Sequence, residues 1–122
     1  MDFDLNRFFH LSLDMLCIAG LDGYFKLINP AFERVLGWSE GELLSKPFAD
    51  FIHPDDIEST ANEVSNLAEG RLTLSFMNRY RDSNGSYRQL LWTGRADLET
   101  KLIYAVARIL PSSGEPRTDL RI

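Results

Sequence analysis

Few residues in this 122-residue chain have the types and spacing that chemistry demands. The single cysteine, Cys17, excludes an internal disulfide framework and a cysteine zinc cluster. It stands in the apolar run Leu16-Cys17-Ile18-Ala19, where a thiol packs as a small hydrophobe rather than reacting. His10 and His53 have no further ligand at metal-binding spacing, and His53 precedes Pro54 at a helix start, where capping or turn packing accounts for it. Asp55-Asp56 is the nearest approach to paired carboxylates, but the first turn of a helix favours negative charge for electrostatic reasons alone. Ser12, Ser39 and Ser45 lack an elbow motif and any relation to a histidine. Gly20 and Gly23 belong to a hairpin rather than a phosphate loop. The residues that could do chemistry read as structural, and no enzyme is expected.

Bulk composition narrows the remaining classes. With 44% hydrophobic and 25% charged residues, the chain is ordinary globular material of one-domain length. A formal net charge of -5 argues against nucleic acid as a partner, since that binding runs on clustered cations. Arg79, Arg81, Arg88 and Arg95 read instead as a solvated strand face. No run reaches the roughly eighteen apolar residues of a membrane span, and no signal peptide is visible. The expectation is a cytoplasmic fragment with no membrane insertion of its own, any anchor belonging to a longer parent chain.

The elements that must position these residues follow from periodicity. Phe3, Leu5, Phe8, Phe9, Leu11 and Leu13 fit a short amphipathic helix that Asp2 or Asp4 would cap. Leu16 to Gly37 reads as two strands joined at Leu21-Asp22-Gly23, then a helix with Asn29 as N-cap and Pro30 at its first position. Gly37 suits a left-handed helix exit. Ser39 and Glu42 have capping-box spacing, and the short helix they open must stop ahead of Pro47. Pro47 to Ile52 forms another apolar turn. Pro54 opens the longest helix, with Ile57, Ala61, Val64, Leu67 and Ala68 at helical spacing and Glu69-Gly70 ending it. Arg71 to Tyr80, Tyr87 to Ala96 and Leu102 to Leu110 are strands, the first two joined by the turn Asp82-Ser83-Asn84-Gly85. This order predicts an α+β domain with one antiparallel sheet, helices over its inner face and a pocket between them.

Four groups of residues, in order and at these spacings, resemble a PAS domain over nearly the whole chain. They are Asp22-Gly23 with Ile28-Asn29-Pro30-Ala31-Phe32; Leu36-Gly37-Trp38-Ser39 with Glu42-Leu43; His53-Pro54-Asp55-Asp56; and Arg79-Tyr80-Arg81 with Asp82, Gly85 and Tyr87-Arg88. The resemblance is to modules of bacterial sensor histidine kinases and cyclic-dinucleotide enzymes. It implies a five-stranded antiparallel sheet with helices over one face; with the residue patterning this gives an N-terminal flanking helix at 1–13, the sensor domain at 14–110 and a linker or tail at 111–122. It further implies a sensory module that signals to a linked output domain, a two-component kinase by expectation, and the phenylalanines of the N-terminal helix add the expectation of a homodimer. Ile109-Leu110-Pro111 departs from the family's usual continuation into a helical connector.

The resemblance also sets cofactor demands. A photoreactive flavin site needs a cysteine on the helix facing the ring, whereas Cys17 lies in the first strand. Haem needs an axial ligand such as histidine, and His10 would qualify only if its helix covered the pocket. No cofactor is predicted; a small-molecule ligand is expected. Candidate pocket residues are Phe32, Val35, Leu36, Phe48, Ile52, Ile57, Ala61, Val64, Leu74, Phe76, Leu91, Tyr104 and Val106. These same residues would also serve to fill a closed core, and Leu90 with Trp92 replaces Leu91 if the opposite strand face is inward. Leu5, Phe8 and Phe9 are the expected dimer contacts. Two rival readings are a ligand-free dimerisation scaffold and a flavin- or haem-loaded sensor.

Overall fold

Gly23 adopts φ +91°, which a residue without Cβ accepts freely, and this turn folds β1 (Met15–Gly20) back against β2 (Phe25–Ile28). The computed structural model describes residues 3–111. Beyond the hairpin come α2 (Ala31–Leu36), α3 (Glu40–Ser45), a 3-10 turn at Phe48–Phe51, a second at Pro54–Asp56, and α4 (Ile57–Ala68). Three long strands then complete a five-stranded sheet: β3 (Thr73–Arg81), β4 (Tyr87–Asp97) and β5 (Leu102–Ile109). A short helix, α1 (Leu5–Leu11), precedes β1. The strand order is β2-β1-β5-β4-β3, every pairing antiparallel, so the last strand lies between the first and the fourth. Most of the expected tail, residues 112–122, lies outside the described residues.

Local chemistry explains most of the helix ends. Gly37 sits at φ +80° and its N–H donates to the Glu33 carbonyl, closing α2. Ser39 and Glu42 form the full capping box: the Ser39 hydroxyl accepts from Glu42 N, and the Glu42 carboxylate accepts from Ser39 N. Asp4 caps α1 by accepting from Arg7 N. The start of α2 differs from the sequence expectation. Pro30 occupies the N-cap and makes no side-chain cap bond, while the Asn29 side chain turns away from the helix. Its Oδ1 accepts from Leu16 N at 3.0 Å, and its Nδ2 donates to the carbonyls of Phe9 (3.1 Å) and Asp14 (2.9 Å). Asn29 therefore ties α1 to the start of β1. An amide has both donors and an acceptor, and here three backbone groups use them.

The core lies between the helices and one face of the sheet. Phe32 and Leu36 of α2, Leu43 of α3, Phe51 and Leu90 are fully buried there. Burying each such side chain contributes about 1.5–3 kcal/mol against the entropy of ordering the chain. Phe25 packs edge-on to Phe32 at 5.4 Å between ring centres, and Trp38 meets Phe51 at 5.5 Å. The Trp38 indole N–H is satisfied by the Arg81 carbonyl at 2.8 Å.

β3 departs from strict alternation. Its register with β4 shifts between Thr73 and Phe76. Thr73 is buried on one side of this irregularity, and Asn78 and Tyr80 are buried on the other. The irregularity turns Leu74 out to solvent at 72% exposure, although simple alternation puts it on the face of Phe76.

Candidate functional site

A cavity of about 70 Å³ opens between α4 and the inner face of the sheet. Its floor comes from alternate residues of adjacent strands: Cys17 and Ala19 of β1, Ile103 and Ala105 of β5, Trp92 and Gly94 of β4, and Phe76, Asn78 and Tyr80 of β3. α4 supplies the opposite wall through Thr60, Glu63, Val64 and Leu67, and Phe25 and Phe48 close one end. Gly94 lies here because the neighbouring strand comes close: an added Cβ would stand 2.9 Å from the Tyr104 carbonyl oxygen and 3.0 Å from Ala105 Cβ.

Polar groups in the wall are paired in sequence. Trp92 Nε1–H donates to Asn78 Oδ1 at 2.8 Å, Asn78 Nδ2 donates to Thr60 Oγ1 at 3.1 Å, and the Thr60 hydroxyl donates to the Asp56 carbonyl at 2.7 Å. Asp56 then reaches β3. Its carboxylate accepts from Arg79 Nε and Nη2, both at 2.9 Å, and from Arg79 N at 2.8 Å. The Arg79 guanidinium hydrogen bond holds the Asp56 carboxyl below its ordinary range. A second pair, Thr73 Oγ1–H to Glu63 Oε2 at 2.6 Å, bridges β3 and α4. Burial pushes the Cys17 thiol up to about 12 and also raises the Tyr80 phenol. Neither group is ionised at neutral pH, and Cys17 is a packing residue.

The candidate pocket residues separate into three groups. Phe48, Val64 and Phe76 line the cavity. Phe32, Leu36 and Ile52 are buried in the core away from it, with Val35 packed beside them. Ile57, Ala61, Leu74, Leu91, Tyr104 and Val106 do not line it. On α4 the face that looks inward is Thr60, Val64 and Leu67, because Thr60 finds hydrogen-bond partners inside; Ile57 and Ala61 are rotated out to solvent. On the strands, Leu90 and Trp92 take the inner face and Leu91 the outer one. Tyr104 and Val106 share that outer face, beside Ile18 and Leu16 of β1. The apolar periodicity did not single out Thr60, Glu63, Thr73, Asn78 and Tyr80. The available signal was Asn78, a polar residue on the inward parity of a strand, with a tryptophan on the next strand whose N–H needs an acceptor.

Of the residues considered for chemistry, Cys17 lines the cavity and the two histidines lie elsewhere. His53 Nδ1 accepts from Asp55 N at 3.0 Å, and its ring rests on Tyr87 at 4.5 Å between centres. His10 is exposed on α1 and contacts the Asn6 carbonyl. Asp56 is held by Arg79 rather than only by a helix dipole. Arg79 and Arg88 are likewise more than a solvated face: Arg88 donates to the Val35 carbonyl at 3.2 Å and faces Asp82 at 3.8 Å. α1 buries none of its residues; Leu5 and Phe8 are exposed and Phe9 is half-buried. Among the described residues, no helix is long and apolar enough to cross a membrane.

Comparison with known proteins gives the fold a context. The structure superposes on the PAS domain of an HTR-like protein from Haloarcula marismortui with a TM-score of 0.74 and 24% identity, covering 87% of this chain and 94% of that one. A domain of a sensory box sensor histidine kinase/response regulator from Geobacter sulfurreducens gives 0.73 and 18%, covering 85% and 90%. The PAS-B domain of Drosophila melanogaster Cycle, described with bound ethylene glycol, gives 0.62 and 22%, covering 79% and 97%. No curated protein matches the sequence. These likenesses establish the architecture, and a family model described as the PAS fold matches residues 25–109. That match spans most of the chain and includes four of the five strands and the α4 wall of the cavity: the chain belongs to the PAS-fold family of signalling domains.

Proposed function

We propose that this PAS domain senses a small molecule in the cavity between α4 and the sheet, and passes the change to an output domain of the same chain. The observation that carries the reading is the hydrogen-bond sequence from Trp92 through Asn78 and Thr60 to Asp56 and Arg79. It begins on the cavity wall, passes the start of α4 at Asp56 and ends on β3 at Arg79. A ligand that moves Asn78 competes with Thr60 and so biases α4 between two packings on the sheet. The domain is non-catalytic and carries no cofactor. The parent protein is a two-component sensor histidine kinase with this domain in the cytoplasm; the Geobacter domain of the same fold comes from a protein described as a sensory box sensor histidine kinase/response regulator. Residues 14–110 are the sensing unit, with 1–13 and 111–122 as its flanks, and nucleic acid is not a partner.

α1 supports a homodimer as part of the same function. Leu5 and Phe8 sit about 75% exposed on a helix with no buried residue, and Phe9 lies beside them. They are the proposed contacts with a second copy. The test combines thermal denaturation across a metabolite panel with sedimentation of the Phe8→Asp variant. At least one compound should raise the melting temperature, and Phe8→Asp should shift the protein toward monomer. A flat panel with a tight dimer would transfer the function to a ligand-free scaffold.

A further inference from the structure

Tyr80 is 3% exposed and lines the cavity, and its hydroxyl forms no hydrogen bond with another of the described residues. Neighbouring polar side chains are already engaged: Trp92 with Asn78, Asn78 with Thr60, and Thr73 with Glu63. No fully enclosed side-chain nitrogen or oxygen among the described residues lacks a partner, so the phenol oxygen keeps accessible surface and can donate to or accept from a guest in the cavity. Apart from Thr93 the remaining lining is apolar, with Cys17, Phe25, Phe48 and Leu67 in the wall, and among the described residues no lysine, arginine or histidine lines the cavity. Among the described residues Glu63 is the one acidic residue of the lining, which disfavours anions further.

We infer that the cavity takes a neutral, oxygen-bearing small organic molecule, a short-chain alcohol or ketone, whose oxygen meets the Tyr80 hydroxyl. This rests on the sensing reading above. The size agrees: about 70 Å³ is half the roughly 150 Å³ that accepts a benzene, which suits a skeleton of about four non-hydrogen atoms. An anion of the same size loses its hydration and meets no cation in return.

The experiment follows the Trp92 indole N–H by ¹⁵N–¹H correlation spectra during titration with 1-propanol, propionate and xenon. Propanol should shift the resonance saturably, propionate at least tenfold more weakly. Tyr80→Phe should weaken propanol about three- to tenfold and leave xenon within twofold. Equal propanol affinity in Tyr80→Phe, or equal binding of propionate, overturns the ligand class while xenon binding leaves the sensing reading standing. If all three probes leave the indole unmoved, the sensing reading itself falls. Should Tyr80→Phe not fold, Glu63→Gln decides: propionate should then approach propanol in affinity, and no gain overturns the exclusion of anions.

Discussion

Replacing Asn29 by aspartate separates two accounts of the same residue. If Asn29 were the N-cap of α2, aspartate would serve equally well and stability would change by less than about 0.5 kcal/mol. In the structure, Asn29 is 1% exposed and gives two hydrogen bonds, to the carbonyls of Phe9 and Asp14, while accepting one from Leu16 N. Aspartate keeps the acceptor but loses both donors, and it sets a buried negative charge against two carbonyl oxygens. Two lost bonds at about 1 kcal/mol each, plus the cost of the unpaired charge, give a loss of about 3–5 kcal/mol at pH 7. For a domain of this length that lowers the melting temperature by roughly 10–20 °C. Asn29→Ala loses all three bonds without the charge and should cost about 3 kcal/mol. The aspartate penalty has a pH signature. Burial among carbonyls raises the folded-state pKa of Asp at this site above its unfolded value near 3.9, so the penalty builds as pH rises above about 4 and is relieved below it. Urea denaturation of both variants at pH 7 and pH 4 measures all of this. A neutral Asn29→Asp at pH 7 would refute the bridging role.

Asp56 should show the opposite sign. Its carboxyl is lowered by Arg79, so its contribution is present above the ordinary value of 3.8 and is lost as pH falls through the folded-state value. The stability gap between wild type and Asp56→Asn, followed by denaturant titration, should therefore be full at pH 6 and narrow below pH 3.8. Cys17, buried and with its thiol near 12, should resist a thiol reagent at pH 8 until the protein unfolds; prompt labelling of native protein would contradict its packing. The inward face of α4 is tested by a pair of substitutions. Leu67→Asp at 6% exposure should cost more than 3 kcal/mol, whereas Ile57→Asp at 41% should cost less than about 1, read as shifts in urea midpoint.

Turns and caps were the most legible part of the fold because they are decided by neighbours in sequence. Asp22-Gly23, the Ser39–Glu42 box and Gly37 all needed only local backbone geometry. Asn29 misled because its type suits a cap, while its partners lie 13, 15 and 20 residues away in the chain. Strand existence followed from alternation, but strand facing did not. β4 and β5 carry apolar residues on both parities, so Leu91, Tyr104 and Val106 looked as suited to the interior as Trp92, Ile103 and Ala105. In β3 the irregularity after Thr73 broke the parity argument altogether and put Leu74 outside. Part of the cavity wall is polar, Thr60, Asn78 and Thr73, and these residues are held there by hydrogen bonds between α4 and β3 that no periodicity reveals.

The central place of β5 has a consequence for how the chain reaches this state. β2 and β1 form one hairpin, β3 and β4 another, and among the described residues the two halves of the sheet pair only through β5, the last of its five strands to be synthesised. Until Leu102–Ile109 leaves the ribosome, Cys17 and Ala19 on one side and Trp92 on the other have no strand between them. Such long-range pairing makes for slow, late assembly, with two open strand edges exposed in the meantime. A nascent chain stalled before Leu102 should bind chaperones and yield to protease, and addition of the final strand should complete the domain in a single cooperative step.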